Sequence, residues 1–172
     1  SRGNELWERI MEAGKPHNIR PIAPCEARKI EAGILNHGQS MTIANNPYEI
    51  MGFDRLVEDQ SADYIGKQAL AKIKQEGVSK RMVGIKVALE RTALWMEDAW
   101  PVYKDGKQIG KITDLAWSPR LEQNIGYVWV QTAYSSPGIE LEIHSMDGKL
   151  KGITSEIPFI DPKKKTPSKQ LD

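Results

Sequence analysis

The chain has 172 residues, with 24 Lys and Arg against 23 Asp and Glu, for a formal net charge of +1. Hydrophobic residues make up 40% and charged residues 27%, too much apolar material for a disordered tail, whose low hydrophobicity could not offset chain entropy. Neither half carries the positive excess of a nucleic-acid binder, no apolar run approaches the ~20 residues of a membrane-spanning helix, and the single cysteine, Cys25, forms no internal disulfide framework and suits a cytoplasmic setting.

In chain order, Leu6, Trp7, Ile10 and Met11 fall on one helical stripe, with Glu5 and Glu8 in the first turn, where they complement the helix dipole. Asn4 is the expected N-cap and Gly14, before Pro16, the expected stop. A second helix is expected over residues 25–35, with Ala27, Ile30 and Ile34 facing inward and Asn36-His37-Gly38 ending it. Asn45-Asn46-Pro47 marks a turn, residues 48–62 read as irregular or partly extended, and residues 66–76 read as a third helix with Leu70 and Ile73 inward.

From Arg81 the period switches to two. Val83, Ile85, Val87 and Leu89 alternate with smaller or polar residues. Residues 100–104 and 108–113 flank Asp105-Gly106, a two-residue hairpin signal, because a type I′ turn needs positive φ twice. Further strands are expected over residues 125–131, around Ile139, Leu141 and Ile143, and from Asp147-Gly148 up to Ile157. Short strands with turns between them indicate a small antiparallel barrel or sandwich. The expected organisation is α+β: residues 1–78 a partial α/β unit, residues 79–161 an all-β module, residues 162–172 a flexible Lys-rich tail.

The chemistry of single residues is sparse. His17, His37 and His144 stand in unrelated contexts, with no Gly-x-Ser-x-Gly elbow, no His-Glu-x-x-His and no Asp-rich calcium loop. Cys25, on the inner side of its expected helix, reads first as core packing. Glycines 33, 38 and 52 are too far apart for one phosphate-cradling loop. Glu31 and Arg28 are three apart and can pair on a solvated helix face; the alternative is that Arg28 or Lys29 receives an anionic group. Four of the five tryptophans, Trp95, Trp100, Trp117 and Trp129, fall in the β module, as barrel or interface packing. On these observations alone the function stays open.

A resemblance narrows it. Ile30-Glu31-Ala32-Gly33-Ile34 with Gly38, then Asn46-Pro47-Tyr48-Glu49, Tyr64-Ile65-Gly66-Lys67-Gln68-Ala69-Leu70 and Arg81-Met82-Val83-Gly84-Ile85 resemble successive motifs of the glycine-cleavage T-protein (aminomethyltransferase) family. Gly110-Lys111-Ile112-Thr113, Ser118-Pro119-Arg120-Leu121, Asn124-Ile125-Gly126-Tyr127-Val128, Pro137-Gly138 and Pro158-Phe159 follow in the family's order. Pro24-Cys25-Glu26-Ala27-Arg28 and Tyr48-Glu49-Ile50-Met51-Gly52 look closest to the dimethylsulfoniopropionate demethylase branch.

The resemblance implies an antiparallel barrel of the aminomethyltransferase C-terminal type, behind the end of a folate-binding domain. It implies tetrahydrofolate as cofactor, a small-molecule one-carbon donor and, on the T-protein branch, a lipoyl carrier protein as partner. The family's catalytic aspartate and its Gly-Tyr-Thr-Gly-Glu segment have no counterpart here, so the chain is expected to be a C-terminal fragment, inactive alone, with no catalytic residue of its own. By position, Arg28, Glu31 and Lys164 are the residues expected near folate. Cys25 stands where the family has a folate-holding arginine, and Lys29 replaces another arginine. The expected N-terminal piece is half a domain, open to associating with itself through apolar surface. Two alternatives remain open: a non-catalytic folate-binding or regulatory protein on the same scaffold, and a β-module adaptor docking another protein.

Overall fold

The computed structural model describes residues 2–58, 60–90, 96, 98–163 and 165. Three helices come first: α1 (Gly3–Gly14), α2 (Glu26–Glu31) and α3 (Lys67–Glu76). Six strands follow: β1 (Lys80–Ala88), β2 (Trp100–Lys104), β3 (Lys107–Ser118), β4 (Gln123–Gln131), β5 (Glu140–Ser145) and β6 (Gly148–Ser155). They close into one antiparallel barrel in the order β1-β4-β3-β2-β5-β6. Closure removes the free edges that an open sheet must protect. The Asp105-Gly106 turn has φ of 50° and 77°, the double positive φ that a type I′ hairpin requires.

The barrel interior is filled by Val83, Ile85, Val102, Ile112, Val128 and Ile143, with other aliphatic residues. A second buried cluster lies on the outside of the barrel wall, where Met82, Ile125, Tyr127 and Trp129 meet Ile30 and Ile50. This wall is therefore covered by the segment 26–53. Its central strand β4 is buried at every position from Asn124 to Val130, one set of side chains facing the barrel interior and the alternate set facing the segment. Ile50 bridges to Met82, and the Met51 N–H donates to the Met82 carbonyl at 3.3 Å.

A bulge decides which β3 side chains serve which cluster. Register shifts between Ile112, opposite Val128, and Asp114, opposite Tyr127. Thr113 is the extra residue, and a bulge inverts the alternation beyond it. Ile112 and Leu115 thus both enter the interior cluster, while Asp114 turns out toward the covering segment.

Several local expectations are corrected. Helix α2 is six residues long rather than running over 25–35, because Gly33 takes φ +70° with the Pro158 ring against it. Ile34 is consequently exposed, not inward. Cys25 is an exposed residue at the start of α2, not core packing. Helix α1 begins at Gly3 after Arg2, with no side-chain cap from Asn4. Its stripe is helical as expected, yet Leu6, Trp7 and Ile10 stay 60%, 54% and 48% exposed. The strand expected to stop at residue 113 runs to Ser118. Trp95 lies outside the described residues. Among the described residues, no helix is long and apolar enough to cross a membrane.

Candidate functional site

The seam between the segment 26–53 and the barrel wall gathers the polar groups of most consequence. Asp114 is fully buried. Its Oδ1 accepts from Lys29 Nζ at 2.9 Å and from Ser40 Oγ at 2.9 Å, while Oδ2 accepts from Thr113 Oγ1 at 2.8 Å. Lys29 also pairs with Glu26 one turn earlier. A buried carboxylate demands such partners, since an unpaired one would cost several kcal/mol of desolvation. Tyr127, fully buried, donates its hydroxyl to the Ile34 carbonyl at 3.0 Å and sits 3.4 Å from the carbonyls of Lys29 and Ile30. It thereby ties the end of α2 and the turn that follows it to β4. Burial, aided by the charge of Asp114, pushes its ionisation well above the ordinary tyrosine range. The Trp129 indole N–H donates to the Ser40 carbonyl at 2.9 Å.

The three residues expected near folate separate. Glu31 is buried and belongs to the seam: it accepts from Ser118 Oγ at 2.5 Å and faces the Arg120 guanidinium at 3.8 Å. Arg28 is on the surface, its guanidinium donating to the Ala23 carbonyl at 2.9 Å. Its backbone N–H, with a further contribution from the guanidinium, holds the exposed Cys25 thiol below its ordinary pKa. Lys164 lies outside the described residues. The structure does not bring Arg28 into contact with Glu31.

Glu31 joins two motifs that lie far apart in the chain. The Glu-Ala-Gly stretch at 31–33 and the Ser118-Pro119-Arg120 stretch are contact partners, and the Ile160 N–H donates to the Glu31 carbonyl at 3.1 Å. Gly33 in turn abuts Pro158, so that an added Cβ would stand 3.3 Å from the proline ring. Asp114 escaped the sequence reading. It stands one residue past the strand expected over 108–113, which already carries Gln108, Lys111 and Thr113, so its charge did not set it apart.

Two clefts border the seam. The larger, of about 730 Å³, lies between the loop 39–45 and the outer face of β3 and β4, with Trp129, Ile109 and Met41 among its apolar lining and Lys80 and Lys111 as its charged groups. The smaller, about 420 Å³, is lined by Gly33, Met51, Phe53, Arg55, Pro158 and Lys163, among others. Neither Arg28 nor Glu31 lines either one.

Comparison with known proteins fits this architecture. Residues 80–161 match the glycine cleavage T-protein C-terminal barrel domain. A probable aminomethyltransferase of Pyrococcus horikoshii is 32% identical over 168 residues, covering 92% of this chain and 42% of that protein. Dimethylsulfoniopropionate demethylase DmdA of Ruegeria pomeroyi is 32% identical over 146 residues, covering 85% and 39%. An aminomethyltransferase of Clostridium botulinum is 35% identical, covering 94% and 44%. The chain thus spans about two fifths of the length of these relatives, and the first two, which carry different names, stand at the same identity. The crystal structure of the glycine cleavage system aminomethyltransferase T from Bartonella henselae superposes with a TM-score of 0.64 over 78% of this chain and 37% of that one, at 19% identity, a likeness of fold. The closed six-stranded barrel, clamped from outside by the segment 26–53, is thus a C-terminal barrel domain of the glycine cleavage T-protein family.

Proposed function

We propose that this chain supplies the C-terminal portion of a tetrahydrofolate-dependent one-carbon transferase, moving an aminomethyl or methyl group to folate. The observation that carries the reading is the contact of Glu31 with Ser118 and Arg120, which joins the family's segment to its matched barrel in one body. In this reading residues 1–78 are the end of the folate-binding domain, residues 79–161 the barrel and residues 162–172 a tail.

Arg28 is the exposed cation available to a folate carboxylate. Glu31 acts from beneath as a positioning residue by fixing Ser118 and Arg120, and Lys164 is assigned to the folate by its place in the sequence alone. These groups would make only one wall of a folate pocket. The other walls and the carboxylate that stabilises developing charge at the transferred carbon are assigned to the family fold beyond the matched two fifths. Holding donor and acceptor in line would then supply much of the acceleration. The donor is either an aminomethyl group on a lipoyl carrier protein or a sulfonium methyl.

The test is calorimetric titration of tetrahydrofolate into the full-length gene product containing this sequence, followed by turnover with each donor in turn. Saturable binding with turnover on one donor is expected. Absence of folate binding would overturn the proposal, and binding without turnover on either donor would move the protein to the non-catalytic reading.

A further inference from the structure

The larger cleft has a chemistry that the one-carbon reading does not use. Its volume, about 730 Å³, falls in the ~300–1,000 Å³ range of small-molecule sites. Of the ionisable residues lining it, both are lysines, Lys80 and Lys111, and no Asp or Glu shares the lining. They stand on the strands either side of β4 and flank Trp129: Lys111 lies directly opposite it on β3, and Lys80 lies opposite Gln131 on β1, two residues further along.

Neither charge is well compensated. Among the described residues, the Lys111 ammonium has no ion pair or hydrogen bond. Lys80 is half-exposed, lies over the Trp129 ring at 5.2 Å and reaches Glu49 only at 4.0 Å. That carboxylate is itself engaged by the Asn45 amide at 3.1 Å and the Asn46 N–H at 3.4 Å. Gln39, Gln108 and Gln131 also line the cleft, and among the described residues their amides make no hydrogen bond.

We infer that this cleft binds a small organic anion, with its carboxylate between Lys80 and Lys111 and an apolar or aromatic body over Ile109, Met41 and the edge of Trp129. Lysine acts as a point charge, and the free glutamine amides add neutral donors. Phosphate sites usually add a nest of backbone N–H groups or a helix N-terminus. Here the backbone of β3 and β4 is occupied by sheet pairing, which favours carboxylate over phosphate. The inference stands independently of the folate reading.

The test uses the 172-residue chain with three probes: isophthalate, its neutral isostere isophthalamide, and inorganic phosphate. Binding is followed by the NMR signal of the Trp129 indole N–H, assigned by its loss in Trp129→Phe. Isophthalate is expected to shift this signal saturably with a Kd of about 1 mM or tighter. Isophthalamide should bind at least about tenfold more weakly, as should isophthalate to the Lys80→Gln/Lys111→Gln double variant, whose substitutions lie on the surface and leave the core untouched. No saturable shift by isophthalate, equal binding of isophthalamide, undiminished binding to the double variant, or phosphate binding as tightly as isophthalate would each overturn the inference.

Discussion

Helices α1 and α2 are both amphipathic, and the chain treats them in opposite ways. Ile30 of α2 is fully buried against Met82, Tyr127 and Trp129, and the polar groups around it are paired with the barrel. Leu6 of α1 is 60% exposed and no residue of that helix is buried; α3 likewise buries none. An apolar stripe therefore announces that a helix wants a partner without saying which one. In α2 the answer is the outer wall of the barrel, and the commitment is made by buried hydrogen bonds as well as by area.

The contrast is tested most sharply by paired truncations. Ile30→Ala should destabilise the protein by about 3–4 kcal/mol, through lost transfer energy and the cavity left behind, whereas Leu6→Ala should change stability by no more than about 0.5 kcal/mol, as surface substitutions do. Urea unfolding of both variants measures this directly. A comparable loss for Leu6→Ala would mean that α1 is covered in solution, and sedimentation of the same samples would show whether a second copy covers it.

The next largest effect is expected at the seam. Asp114→Ala leaves Lys29, Ser40 and Thr113 without their shared acceptor, and breaking such a buried pair costs about 3 kcal/mol. Amide hydrogen exchange should then rise over residues 26–41 more than in the barrel interior. Uniform loosening of the whole barrel would show that Asp114 supports the sheet rather than the docked segment.

Tyr127→Phe should cost about 1 kcal/mol near neutral pH, the worth of one buried hydrogen bond. It also carries a pH signature. The folded hydroxyl ionises above its ordinary range, so its contribution is complete below the unfolded pKa of about 10. That contribution declines as pH rises toward the folded value, because only the unfolded chain gains by releasing the proton. Above the unfolded value of about 10, wild type should therefore lose stability with rising pH more steeply than Tyr127→Phe. Parallel curves for the two proteins would contradict the buried placement.

The smallest effect is at the barrel surface, on β5. Glu142 accepts from His144 at 2.7 Å and pairs with Lys149 at 2.9 Å, and these partners hold its carboxyl below the usual value, His144 first. His144 also stacks on Tyr103, with centroids 4.1 Å apart. In His144→Ala the Glu142 titration, read by carbon NMR, should move up toward the ordinary carboxylate range. The stability this pairing adds is present above the unfolded pKa and lost as pH falls through the folded one, the opposite direction to Tyr127.

The strands of the barrel were legible in the residues because two-residue alternation and the Asp105-Gly106 turn are local properties, fixed by pleat and by φ. The family motifs were legible in the same way, as a string. The length of α2 was not, since it depends on Pro158 arriving at Gly33 from 125 positions further along the chain. Nor was the orientation of Asp114, because a bulge at Thr113 inverts the alternation from which it would have been read. Glu31 shows the division best: its residue type and spacing marked it as an acidic helix residue able to pair with Arg28. Only the closure of the barrel, which brings Ser118 and Arg120 beneath it, decided that its carboxylate is buried and spent on holding two segments together. Local chemistry selects elements, but the partner of a buried polar group is chosen by chain topology, and no window of neighbouring residues contains it.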